Sequence, residues 1–155
     1  MATPEFILHL RDKIGHDPLW LMGVTAVVEH EGRVLLVRRA DDGAWTPVTG
    51  IIDPGEEPAR AATRELAEEA GVVGEPVRIA SVRMGPMVTY INGDMTQYIG
   101  VSFLYRWVSG EPFPADGENT EARWFPVAEL PPMSEEHRLN VAHALSGEEA
   151  AYFVR

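Results

Sequence analysis

Not one cysteine occurs in the 155 residues, which excludes disulfides, thiolate metal sites and a thiol nucleophile. Positive charge is also scarce. Thirteen lysines and arginines stand against 24 acids, and a formal net charge of −11 argues against gripping a nucleic-acid backbone. A phosphate-rich substrate would need cations to approach such a surface. No apolar run reaches the roughly 18 residues that span a bilayer, and Met1-Ala2-Thr3-Pro4-Glu5 lacks the basic start and apolar core of a secretory signal. A cytoplasmic location with no membrane partner is the expectation. His9, His16, His30, His137 and His143 show no ligand spacing of the H-x-H or i, i+4 kind. What the chain does have is 45 % hydrophobic residues, enough for a real core, and a length that fits a single domain over 1–155.

The order of elements is mixed, without repeats or low-complexity tracts. Thr3-Pro4-Glu5 reads as an N-cap for a short amphipathic helix carrying Phe6, Leu10 and Ile14 and closed by Gly15. Leu19 to Glu29 and Arg33 to Arg39 read as strands joined at Glu31-Gly32. A helix is expected from Pro58 to Ala70, then strands over Arg78 to Met84 and Met87 to Ile91. Asn92-Gly93 is a hairpin signal returning as Thr96 to Val108. Glu121 to Phe125 reads as a last strand, and Ser134 to Leu145 as a helix capped by Ser134. Ser109 to Asn119, rich in Gly, Pro and acids, is the expected mobile loop. Apolar residues on several faces of the first segment (Phe6, Ile7, Leu8, Leu10, Ile14, then Leu19 to Met22) suggest a homodimer formed through it, which sedimentation tests.

Gly50 to Val72 carries the most information. Pro58 suits the first helical turn, Glu56 and Glu57 complement the positive end of the macrodipole, and Gly71 suits a left-handed C′ position. Ala59, Ala62, Leu66 and Ala70 form an apolar stripe. Glu65, Glu68 and Glu69, spaced i, i+3 and i+4, place three carboxylates on one narrow face. Like charges at those spacings destabilise a helix by a few tenths of a kcal/mol per pair. Such a stripe means solvent, or a cation that neutralises it, and the surrounding residues favour the cation.

The segment resembles the signature of the Nudix hydrolases: Gly, five residues, Glu, seven residues, Arg-Glu, an aliphatic, any residue, Glu-Glu, any residue, Gly and an aliphatic. Gly50, Glu56, Arg64, Glu65, Leu66, Glu68, Glu69, Gly71 and Val72 match it without a miss. Chance agreement at the seven fixed types is on the order of 10⁻⁸ per starting point. The resemblance implies an α/β fold, an α/β/α sandwich around a central mixed β-sheet. It also implies a pyrophosphohydrolase using Mg²⁺ or Mn²⁺ and acting on a nucleoside diphosphate linked to another moiety, of the ADP-ribose, nucleotide-sugar or dinucleotide type. A house-cleaning (d)NTP hydrolase and a non-catalytic ligand sensor of the same fold are the alternatives. The complete box argues against the sensor. An isopentenyl-type diphosphate isomerase on this fold relies on a cysteine, which this chain lacks.

Carried over by position, Glu65, Glu68, Glu69 and the Gly50 carbonyl correspond to the metal ligands, and Glu56 with Arg64 to the pair that ties loop to helix and orients Glu65. The types make chemical sense, because Mg²⁺ wants hard oxygen ligands and polarises phosphoryl oxygens while activating a water. Glu65, or an acid of a later loop such as Glu121 or Glu118 before Trp124-Phe125, is the candidate general base. Arg39, rather than its neighbour Arg38, is the candidate phosphate contact. Trp45 is a candidate stacking residue, although packing is its commoner role. Tyr90 and Pro86 stand near positions that mark dinucleoside polyphosphate and ADP-ribose enzymes respectively, so they conflict. Where the family often reads Trp-x-Leu-Pro-Gly-Gly, this chain has Trp45-Thr46-Pro47-Val48-Thr49-Gly50, and Asp53 stands where Glu is common. A β-branched pair resists positive φ, so this loop is expected to lie differently against the phosphates.

Overall fold

The computed structural model describes residues 3–155. Its elements are α1 (Glu5–Ile14), β1 (Leu19–His30), β2 (Arg33–Arg39), β3 (Trp45–Thr46), β4 (Val48–Ile51), α2 (Pro58–Ala70), β5 (Val73–Thr89), β6 (Met95–Ser109), β7 (Asn119–Pro126), a 3₁₀ turn (Val127–Glu129) and α3 (Glu135–Ala144). The main path of the sheet runs β3-β2-β1-β6-β5, and it is mixed because β1 runs parallel to β6 and antiparallel to β2 and β4. Glu31 and Gly32 both take positive φ (51° and 74°), the two-residue turn that matches strand twist in a tight hairpin. Beyond that turn β1 parts from β2. Gly23 to Ala26 pair with β4 instead, while β2 takes β7 on its other edge. The fork seats the box loop directly on the central strand.

Two cores cover the sheet. On one face Val24, Ala26, Val28, Val101, Phe103 and Tyr105 pack under Ala61, Ala62, Leu66 and Ala70 of α2. On the other, Val27, Leu36 and Ala80 meet Val141 and Ala144 of α3. Burial on both faces explains why β1 reads as a continuous apolar run rather than an alternation. Ala61, nearly inaccessible, joins Ala62, Leu66 and Ala70 in the buried stripe of α2, with Ala59 packed at its edge. Gly71 ends α2 in the left-handed region at φ 63°, and a Cβ there would lie 2.2 Å from Phe113.

Three sequence expectations change. The strands expected over Arg78 to Met84 and Met87 to Ile91 are one strand, Val73–Thr89, with register shifts at Pro76 and across Gly85-Pro86. Prolines lack a donor, so the ladder bulges around them instead of ending. α1 is capped by Pro4 with no side-chain bond, not by Thr3, and Arg11 ties it to the Met95 carbonyl (2.6 Å) and the Thr96 hydroxyl (3.1 Å). The segment expected to be mobile, Ser109 to Asn119, is hydrogen-bonded to the end of α2: Phe113 N–H donates to Ala70 O and Ala115 N–H to Glu69 O. Among the described residues no helix is long and apolar enough to cross a membrane.

Candidate active site

The three box acids on α2 are not equivalent. Glu65 and Glu69 are one turn apart and both buried, at 1 % and 5 % exposure. Glu68 lies about 100° further round the helix from Glu69, and its side chain is 53 % exposed. The single narrow acidic face expected from the spacing is therefore a buried pair with a third acid at its solvent edge.

Arg64 organises the helix side of the site. Its Nε and Nη2 donate to the two oxygens of Glu56 (3.0 and 2.9 Å), its Nη1 to Glu65 Oε1 (2.8 Å) and more loosely to Glu68 (3.3 Å), and Nη2 also reaches the Ile51 carbonyl (3.3 Å). A planar guanidinium meets a carboxylate by two parallel bonds, so the Arg64–Glu56 pair locks loop to helix. The Arg64 bond holds Glu56 below the usual carboxylate range. Asp53 and Glu56 close the turn between them, with Glu56 N–H donating to Asp53 O at 3.0 Å.

Burial pushes Glu65 up to about 7, with Arg64 pulling the other way. Burial likewise lifts Glu69 to about 7, opposed by a hydrogen bond from Asn119 and reinforced by the charges of Glu65 and Asp116. Two carboxylates withdrawn from water, one paired with an arginine that it shares and the other with a neutral amide, are costly as anions unless a cation joins them. Gly50 shapes the cradle. It lies on β4 paired with Val24 of β1, and a Cβ there would lie 2.2 Å from Glu65 Cγ. Only a residue without a side chain lets Glu65 lie against the strand.

Among the described residues no three His, Cys, Asp or Glu side chains already converge as a metal-binding group. The oxygen donors nevertheless fit a hard divalent ion. Mg²⁺ usually takes one or two carboxylates and fills the rest with water and substrate phosphate. Glu65 and Glu69 would supply the buried pair, with Glu68, 3.3 Å from Arg64, at its solvent edge.

The other sequence candidates have different surroundings. Arg39 is clamped by Asp41 (2.5 Å), with Asp42 at 3.8 Å, and lies within the electrostatic reach of Glu69. Trp45 is a packing residue, edge-on to Phe125 (4.8 Å) beneath the Arg123 guanidinium (4.9 Å) on the α3 side. Tyr90 bonds the Tyr98 hydroxyl (3.0 Å), and the Tyr98 ring lies beside Gly23. Glu121 does not join the α2 acids. It pairs with Arg38 (2.9 Å) and Arg123 (3.4 Å). Its neighbours Ala122 and Trp124 pack on the α2 side, so alternation turns Glu121 to the other face. Glu118 accepts a bond from Ala40 N–H at its carbonyl.

Two features carry no signal in the sequence. Asn119 is buried, and its Nδ2 donates to Glu69 Oε2 at 3.2 Å. A cleft of about 450 Å³ opens between β5, β6 and the start of α3, lined by Thr25, Arg83, Pro86, Glu136 and Asn140 among others. Thr25 pairs with Thr49, next to Gly50, and its hydroxyl accepts from Asn140 Nδ2 at 3.5 Å, so the cleft lies on the α3 face of the sheet, across β1 and β4 from Glu65 and Glu69. A polar residue at a strand start and an Asn inside a helix look alike whether or not they serve a site.

A family model for the NUDIX domain matches residues 20–145, and the chain belongs to that family. It is similar to the NAD-capped RNA hydrolase NudC of Chromobacterium violaceum, at 30 % identity over 76 % of this chain, and spans 44 % of that relative's length. A MutT-like protein of Streptomyces ambofaciens is 32 % identical, covering 84 % of this chain and 80 % of its own. Among solved structures, the MutT NUDIX hydrolase of Burkholderia pseudomallei superposes with a TM-score of 0.69 at 26 % identity, over 81 % of this chain and 98 % of that one.

Proposed function

We propose that this chain is a cytoplasmic Mg²⁺- or Mn²⁺-dependent pyrophosphohydrolase that cleaves a nucleoside diphosphate linked to a second moiety. The observation that carries this reading is the buried pair Glu65 and Glu69 beside Gly50, carboxylates with few partners of their own. A divalent ion bound there supplies charge neutralisation for the phosphoryl oxygens and a water of lowered pKa. Arg64, fixed by Glu56, holds Glu65 in place. Glu65 is the favoured base, since it lies within the acidic site on α2 whereas Glu121 is engaged by two arginines. Glu68 and Glu69 complete the ligand set with the Gly50 carbonyl. Negative charge on the substrate is met by the ion and, once released from Asp41, by Arg39.

The linked moiety is assigned to the cleft beside α3, on the sheet face opposite α2, which a substrate extending past the β1–β4 pairing at Thr25 and Thr49 would enter. Arg83, Glu136 and Asn140 offer it both donors and acceptors, and none of its lining side chains among the described residues is aromatic. That chemistry suits a hydroxyl-rich group better than a stacked base. A panel of ADP-ribose, nucleotide sugars, dinucleotides and (d)NTPs with Mg²⁺ tests the reading. The highest kcat/KM is expected for a sugar-linked diphosphate. Turnover confined to (d)NTPs would replace it by the house-cleaning activity, and no turnover of any member would remove it.

A further inference from the structure

We propose that Asn119 is a positioning residue that holds Glu69 Oε2 and so would bias the carboxylate towards single-oxygen contact with a divalent ion, favouring Mg²⁺ over Ca²⁺. The inference rests on the metal-dependent reading above and adds a determinant of ion choice to it.

Its origin is a fault in the β2–β7 ladder. Arg38 faces Glu121 in register, yet the next residue, Arg39, faces Asn119, so Thr120 is an extra residue without a partner on β2. The Thr120 hydroxyl donates to the Arg38 carbonyl at 3.4 Å across the fault. In an unbroken strand Asn119 and Glu121 would share a face. The bulge reverses that. Glu121 stays with Arg38, while Asn119 turns inward to 6 % exposure and reaches Glu69 Oε2. Re-aiming one side chain is a recurrent use of a bulge near a site.

The segment leading to Asn119 reinforces this contact. Phe113 and Ala115 donate backbone N–H groups to the Ala70 and Glu69 carbonyls at 3.1 and 3.2 Å, so the loop holds both main chain and side chain of Glu69. The partner type matters as well. Arg64 brings a full positive charge to Glu65, whereas Asn119 brings a neutral amide to Glu69. An amide fixes the orientation of the carboxylate and leaves its charge for a cation. With one lone pair of Oε2 taken by the amide, Glu69 is biased towards binding through Oε1. Mg²⁺ demands a tight octahedron and accepts single-oxygen carboxylates, while Ca²⁺ tolerates two-oxygen contacts and irregular geometry. Partners that orient a metal's ligands typically change affinity by about 10–100-fold when lost.

The experiment measures Mg²⁺ and Ca²⁺ affinity of the purified full chain by calorimetry, alongside its metal-free melting temperature. Asn119→Leu keeps the volume and removes the donor. Asn119→Ser, too short to reach Glu69, replaces it if the leucine variant does not fold. The expected result is a loss of at least about tenfold in Mg²⁺ affinity with Ca²⁺ affinity changed by less than about threefold. Equal losses for both ions, or unchanged Mg²⁺ affinity with only a lower melting temperature, would overturn the proposal and leave the hydrolase reading intact. Absence of Mg²⁺ binding in the unaltered chain would remove both.

Discussion

Replacing Glu69 by glutamine is expected to cut kcat at saturating Mg²⁺ by at least about a hundredfold, roughly 2.7 kcal/mol of transition-state stabilisation, while the metal-free protein becomes more stable. The rate effect follows from losing a charged ligand in a buried site, where a cation contributes several kcal/mol. Stability moves the other way because burial raises Glu69 to about 7 in the fold. A carboxyl whose folded pKa exceeds its unfolded value binds its proton more tightly when folded. Its anion therefore costs stability progressively as pH rises from about 4.5 to about 7, by up to about 1.4 kcal/mol for each pH unit crossed. Glutamine removes that cost and still accepts the Asn119 bond. The melting temperature of Glu69→Gln minus that of the unaltered chain, both metal-free, should be near zero at about pH 5 and positive by several degrees at about pH 8. Glu68→Gln should lower kcat comparably but leave metal-free stability almost unchanged, because Glu68 is solvated. If the acids were only a solvated stripe, neither rate would move.

Gly50→Ala should be nearly as damaging for a different reason. The new methyl group would fall 2.2 to 2.4 Å from Glu65 Cγ, Cδ and Oε1. Glu65 is pinned between Arg64 and the strand, so either its carboxylate leaves Arg64 or β4 moves away from α2. We expect kcat to drop by at least about a hundredfold and stability by about 1–3 kcal/mol, the usual cost of overpacking. Gly32→Ala is the matched comparison. Gly32 lies at φ 74° with open space around it, so alanine there strains the backbone but meets nothing. It should lower the melting temperature and keep kcat. Equal loss of kcat in the two variants would show that instability, not displacement of Glu65, causes the effect.

Local signals made much of the fold readable. α2 begins at Pro58 and ends before Gly71, and β2 runs from Arg33 to Arg39, all as expected, because caps and tight turns are written into neighbouring residues. The acid–arginine constellation was legible for the same reason: it lies on one loop and one helix. What depends on distant partners was not legible. Val48–Ile51 read as part of a glycine-rich loop, yet its β-branched Val48 and Thr49 make a strand once β1 supplies an edge. The inequality of Glu65, Glu68 and Glu69 depends on how α2 is rolled against the sheet. The direction of Glu121 and the inward turn of Asn119 both follow from one unpaired residue, Thr120, in a ladder between segments far apart in the chain. Alternation counted along β7 alone gives the wrong face for Asn119.

Cleavage is expected to depend on a divalent ion held by the α2 carboxylates. The most direct measurement is turnover of the best substrate in excess chelator, followed by restoration of Mg²⁺ or Mn²⁺. No turnover with chelator and full return on adding either ion is the predicted result, because Arg39 alone neither relieves the buried acids nor activates water. Undiminished turnover in excess chelator would contradict the account.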